Sequence, residues 1–100
     1  MLIITGHVYV GAADLAQFQA DIAALVVATR QRVGNLAYAV AMTDAQAGQW
    51  LIAERWADQA ALSAHLAAAD TLQFVSRWQG RMRGDIRKYD ALRERGLLDD

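Results

Sequence analysis

Residues 2–10 alternate between two sets of side chains, with Leu2, Ile4, Gly6, Val8 and Val10 on one face and Ile3, Thr5, His7 and Tyr9 on the other. The alternation marks a strand, and apolar groups on both faces predict a central strand covered on both sides. The period then changes. In GAADLAQFQADIAALVVATRQRVGN, Leu15, Phe18, Ile22, Leu25 and Thr29 recur at intervals of three and four, while Asp14, Gln17, Asp21 and Arg32 fall mostly elsewhere. This predicts a long helix, favoured by its Ala content and stopped by Gly34 and Asn35. NLAYAVAMT returns to period two, with Leu36, Tyr38, Val40 and Met42 bulky against the shallow Ala37, Ala39 and Ala41. TDAQAGQ supplies turn residues, and WLIAERW sets Trp50, Ile52, Glu54 and Trp56 against Leu51, Ala53 and Arg55. The pair reads as a hairpin.

Asp58 is a candidate N-cap for a short helix from Gln59 to about Ala68, with Leu62, His65 and Leu66 as its apolar stripe. Asp70 is placed to cap a second helical segment with a stripe of Leu72, Val75, Trp78 and Met82, weakened in its last turn by Gly80. A final strand covers roughly Asp85 to Tyr89, with Ile86 as its one aliphatic residue. The order β, α, β, β, broken α, β predicts an α+β, ferredoxin-like four-stranded antiparallel sheet with helices on one face, its first strand between the third and the last. Residues 1–90 form the domain, and the polar residues 91–100 form a tail, either frayed or docked as a short helix on a partner subunit.

At 100 residues the chain is long enough for one domain. Of its 55% hydrophobic residues, 21 are Ala, leaving 34 larger groups for the core. A domain of this size buries only about 60–68% of its extended surface. Both faces of the strand over 50–56 carry apolar groups, so a homodimer that packs sheet against sheet, a dimeric α+β barrel, is the expected assembly. The absence of Cys removes disulfides, thiolate nucleophiles and Cys-based metal sites. No apolar run approaches the roughly 20 residues that span a bilayer, and MLIITGHVYV lacks the basic flank of a secretion signal, so a soluble cytoplasmic protein without a membrane partner is expected. The net charge is −1, and the basic residues after Ser76 are diluted by acids, which argues against a nucleic-acid partner.

His7 and His65 are the only histidines, and no HxxxH or HExxH spacing occurs, so no metal site is expected. Phosphate loops, dinucleotide fingerprints and nucleophile elbows are missing too, so no organic cofactor is indicated. His65, three residues after Leu62 on the inward stripe, is either a satisfied core histidine or a general base working near neutral pH. Trp56 ends the strand leading into that helix, where its indole serves as a stacking plane or as ordinary core; Trp50, Trp78, Tyr38 and Phe74 offer further flat surfaces. Glu54 shares the face of Trp50, Ile52 and Trp56. An inward carboxylate needs a partner, with His65, His7 or an Arg as candidates, in a structural or interface pair or as a catalytic base. The face of His7 and Tyr9 is either the cavity side or the dimer side. Arg77, Arg81 and Arg83 read as a solvated helix side, from which one Arg has the length to hold an anionic oxygen.

The segments HVYV, ADLAQFQADIAALVVATRQRVGNLAY and WLIAERWADQAALSAHLAAADTLQF resemble the antibiotic biosynthesis monooxygenase family of small dimeric α+β proteins, in particular its quinol monooxygenase branch. The resemblance spans about residues 2–90. Its most specific part is Glu54 and Trp56 at a strand end followed by Leu62, Ala64 and His65 on a helix; Phe74, Gly34 and Tyr38 match further family positions. Arg32 stands where the family often has Glu. Ile52 and Leu62 replace the Asn and Tyr of the polyketide oxygenases in the family, which shifts the implied proton chemistry to His65, assisted by Glu54 or Tyr38, with Trp56, His7, Phe74 and Trp78 around the substrate. The implied activity is oxidation of a phenolic, hydroquinone or polycyclic aromatic substrate by dioxygen without metal, flavin or haem. A haem-degrading relative uses a His in the helix that follows, and residues 70–82 contain none. The alternative is a non-catalytic barrel of the same architecture that binds a small aromatic ligand or serves a structural role.

Overall fold

In a computed structural model describing residues 1–100, the period-two segments become four strands and the segments of helical period three helices. In chain order these are β1 (Leu2–Val10), α1 (Leu15–Arg30) after a short 3-10 turn, β2 (Asn35–Asp44), β3 (Gln49–Trp56), α2 (Gln59–Ala67), α3 (Ala69–Trp78) and β4 (Met82–Asp90). All neighbours are antiparallel in the order β2-β3-β1-β4, so β1 lies between the third and last strands, as the connectivity predicts. With the helices on one face, this is the α+β ferredoxin-like arrangement.

One face of the sheet makes the core because the even-numbered residues of β1 and β3 point together under the helices. Val8, Val10, Trp50 and Ile52 meet Phe18, Ile22 and Leu25 of α1 and Trp78 of α3. Leu2, Ile4, Tyr38 and Trp56 meet Leu62 of α2. Each fully buried large side chain contributes about 1.5–3 kcal/mol, so these two clusters hold the layers together. The α1 stripe is the predicted one: Phe18, Ile22, Leu25 and Thr29 are its buried residues. Asp58 caps α2 by accepting from the Ala61 N–H at 2.8 Å. Gly34 ends the turn after α1 at φ +83, where a Cβ would also lie 2.4 Å from that of Ala61.

Several local expectations are corrected. Asp70 lies inside the first turn of α3 instead of capping it; the cap position is Ala68, whose extended backbone makes the break between α2 and α3. The buried face of α3 is Thr71 and Trp78, with Phe74 half-buried, whereas Leu72 and Val75 are about half exposed. Asp70 and Thr71 are both tied to Arg32, and this fixes the rotation of the helix. Leu36 and Met42 are about half exposed on the edge strand β2, where Leu36 falls in the register shift between Asn35 and Ala37. The last strand runs from Met82, three residues before its predicted start.

The opposite face of the sheet, with Ile3, Thr5, His7, Tyr9, Leu51, Ala53 and Arg55, has no helix over it. The cover predicted on both sides of β1 is therefore present on one side within the chain. Residues 91–100 contain no helix; Glu94 reaches Arg55 at 3.5 Å, and Leu92, Leu97 and Leu98 are almost fully exposed. No helix is long and apolar enough to cross a membrane.

Candidate active site

At the α2 end of the core the sheet brings four of the predicted site residues together. Tyr38 on β2 is the cross-strand partner of Glu54 on β3. Two residues on, Trp56 donates its indole N–H to Glu54 Oε1 at 2.9 Å. His65 descends from α2 to stack on Trp56, with ring centroids 4.9 Å apart and planes at 28°, and meets the Tyr38 ring edge-on at 5.7 Å. All four residues are buried.

Glu54 therefore has a partner that sequence reasoning did not name. Neither His65, His7 nor an Arg pairs with it; the indole of its own strand does, because residues two apart on a strand share a face. One neutral donor does not repay the loss of water around a carboxylate, and burial raises the Glu54 pKa despite the bond from Trp56. Burial, and secondly the Glu54 charge, push the Tyr38 hydroxyl far above the ordinary phenol range, so it remains a neutral phenol.

Arg32 was not singled out for this site, yet it organises the far side. Its guanidinium donates to His65 Nδ1, to Thr71 Oγ1 at 3.1 Å and to Thr29 Oγ1 at 3.3 Å, and pairs with Asp70. The signal was present: the α1 stripe reaches Thr29, and one further step of three is Arg32. Guanidinium has no acceptor, so His65 Nδ1 must offer its lone pair and the neutral ring carries its proton on Nε2. Burial and then the Arg32 charge lower the His65 pKa to about 4, against the opposing pull of Asp70. The ring nitrogen free to accept a proton is thus already occupied, which weakens the general-base role expected of His65.

The cavity at this end has a volume of about 310 Å³ and is lined by Ile4, Glu54, Leu62, Leu66, Ile86, Arg87 and Lys88. Glu54 is its acid. Trp56 and His65 are 0% and 3% exposed and stack on each other, so the free stacking plane expected at Trp56 is filled by the imidazole. Three other predicted substrate residues lie elsewhere. His7 has Leu51 and Asp85 as register partners on the uncovered face of the sheet, because odd-numbered β1 residues point away from the helices. Phe74 and Trp78 pack with Phe18 at 5.8 and 5.1 Å in the other core cluster. Arg77 and Arg81 are held by Asp21 and Asp14, and Arg83 lies over the Tyr9 ring. No three His, Cys, Asp or Glu side chains converge to hold a metal ion.

The two inner ionisations have opposite effects on stability. Unfolded, His65 titrates near 6.5, so between pH 6.5 and about 4 the unfolded chain takes up a proton that the folded chain refuses. The stability due to neutral His65 is complete above pH 6.5 and falls as the pH drops through that window. Glu54 acts in reverse: its pKa is raised above 4.5 in the fold, so acidification favours the folded state. Urea midpoints of Glu54→Gln are expected to fall more steeply than those of the wild type as pH drops from 6.5 towards 4.5. Identical slopes would contradict this opposition.

Residues 1–77 match the family model of the antibiotic biosynthesis monooxygenases. A Deinococcus radiodurans protein named for the same family is 27% identical in sequence; its structure superposes with a TM-score of 0.88, covering 99% of this chain and 100% of that one. A second structure, of an antibiotic biosynthesis monooxygenase, is 25% identical at a TM-score of 0.82, covering 93% and 100%. PA3566 of Pseudomonas aeruginosa shares the fold at 22% identity and a TM-score of 0.80, covering 92% and 94%. No curated protein matches the chain. The matched span contains Tyr38, Glu54, Trp56 and His65, and on it the chain belongs to the antibiotic biosynthesis monooxygenase family.

Proposed function

We propose that the protein is a cofactor-independent monooxygenase that oxidises a phenolic or hydroquinone-type ring with dioxygen. The observation that carries this reading is Glu54, a buried acid with a raised pKa, among the residues lining a largely apolar cavity. A volume near 310 Å³ is at the small end of ligand pockets and suits a compact ring system.

The electrons come from the substrate. For an anthrone-type ring, Glu54 takes a proton from the acidic CH₂ and the carbanion passes one electron to dioxygen. The ring radical and superoxide join in a C–O bond, protonation gives a hydroperoxide, and loss of water leaves a ketone: CH₂ plus O₂ becomes C=O plus H₂O. The chain supplies a proton acceptor whose affinity burial has moved towards that of the substrate, an apolar wall against which the ring packs, and a fixed geometry. Trp56 holds the carboxyl, and His65, held in turn by Arg32, packs behind the indole.

A non-catalytic barrel is the second reading, favoured by the close packing of Trp56 against His65. Dioxygen uptake with anthrone and simple hydroquinones, corrected for spontaneous autoxidation, separates the two. Enzyme-dependent uptake supports the oxygenase, and uptake at the uncatalysed rate across the panel contradicts it.

We also propose that a second copy covers the uncovered sheet face, where Leu51 is 38% and Tyr89 53% exposed and a hollow of about 330 Å³ is bordered by Ile3, Ala37, Ala39 and Ala53. Sedimentation at micromolar concentration is expected to give twice 11.0 kDa. A monomer would contradict this assembly.

A further inference from the structure

The cavity carries a cation that the chain itself does not neutralise. The register of β1 with its two neighbours places Glu54, Ile4 and Lys88 on one rung of the sheet. Adjacent strands lie about 4.8 Å apart, so the Cα atoms of Glu54 and Lys88 are separated by about 10 Å, with Ile4 between them. All three line the cavity, an open groove with Leu62 and Leu66 on its α2 side and Ile86 beside it. It is thus a short apolar trough with a carboxyl at one end and an ammonium at the other. Lys88 Nζ donates to Gln59 Oε1 at 2.8 Å and forms no salt bridge. Arg87, by contrast, is paired with Asp85 at 2.9 Å. An ammonium has three donors, and one neutral amide uses one of them.

We propose that Lys88 selects a ring substrate bearing a carboxylate, held at the mouth so that a ring hydroxyl faces Glu54. The ring chemistry rests on the oxygenase reading, but the charge recognition does not. A single ring with its carboxylate and one hydroxyl on well-separated carbons fits the trough lengthwise, its flat faces against Ile4 on one side and Leu62 and Leu66 on the other. The carboxylate takes the two ammonium hydrogens that Gln59 leaves free. Glu54 stands at the other end of the rung, two strand spacings from Lys88, so its repulsion of the carboxylate is weaker than the attraction of the adjacent ammonium.

The test uses 2,5-dihydroxybenzoate, its methyl ester and plain hydroquinone, with binding measured calorimetrically without oxygen so that no turnover is involved. The acid is expected to bind about tenfold more tightly than the ester, the scale of one partly exposed charge-assisted contact, with the difference shrinking as salt is raised. Lys88→Met is expected to remove the difference by weakening the acid about tenfold more than the ester, and Lys88→Arg to restore most of it. Equal affinities in the wild type, a preference that survives in Lys88→Met, or no binding of any of the three rings would overturn the assignment. Loss of hydroquinone affinity in Lys88→Met would also overturn it, by placing a phenolic oxygen at Lys88 instead of a carboxylate. The two readings fail separately. A Lys88-dependent preference without enzyme-dependent oxygen uptake leaves the charge recognition and overturns the oxygenase; uptake with equal affinities does the reverse.

Discussion

Glu54→Gln is expected to lower turnover by about 10²–10³-fold while fold and ring binding persist, the usual scale for a positioned proton acceptor. The substitution is nearly isosteric, and the amide oxygen can still accept from the Trp56 indole, so the local geometry survives. What is lost is the capacity to take a proton. Because the amide removes an ionisable group from a buried position, the urea midpoint near pH 7 is expected to stay level or rise. Together these outcomes distinguish chemistry from stability: a structural residue at this place would lose both or neither. Initial rates of oxygen uptake and unfolding curves on the same preparations are the measurements. Wild-type turnover in a folded Glu54→Gln protein would remove the carboxyl from the proton step.

Trp56→Ala is expected to cost about 3–5 kcal/mol of stability, the range for deleting a large aromatic from a core. The indole is wholly buried, packs in the cluster with Leu2, Ile4, Tyr38 and Leu62, and carries the His65 stack. A loss below about 1 kcal/mol would show that the neighbours collapse into the space, contrary to a stack held by Arg32. Trp56→Phe separates the ring from its N–H. It fills much of the volume but leaves Glu54 without its hydrogen bond, so the carboxyl pKa is expected to move further upward and carry the pH dependence of turnover with it. An unshifted pH profile in Trp56→Phe would mean that the indole does not tune Glu54.

The architecture was legible because each element carried its own period. The α1 stripe and the inward face of β3 emerged with the residues that the spacing selects, and Asp58 with its cap. The stripe of α3 was misplaced because the rotation of that helix is set by Arg32, 38 positions before Asp70, a tie that local periodicity does not record. Proximity in the site was read better than role. Trp56 and His65 do meet, but facing each other, because nothing in either segment says that the imidazole occupies the indole face. Glu54 was recognised as inward, and the partner sought for it was a charge, whereas the donor lay two residues along the same strand. His7 was ambiguous for a definite reason: alternation assigns residues to two faces without saying which one the helices cover. Lys88 was passed over because β4 carries few apolar residues, and its relation to Glu54 exists only through a register across three strands.

The most direct test of Glu54 as the proton acceptor is kcat/KM for oxygen uptake as a function of pH, using a ring substrate whose own ionisation lies well above the range scanned. The expected result is a rise through one ionisation above the ordinary carboxylate value of 4.5, absent from the residual activity of Glu54→Gln. A profile that rises identically in the wild type and in Glu54→Gln would contradict it and place proton removal outside the Glu54 carboxyl.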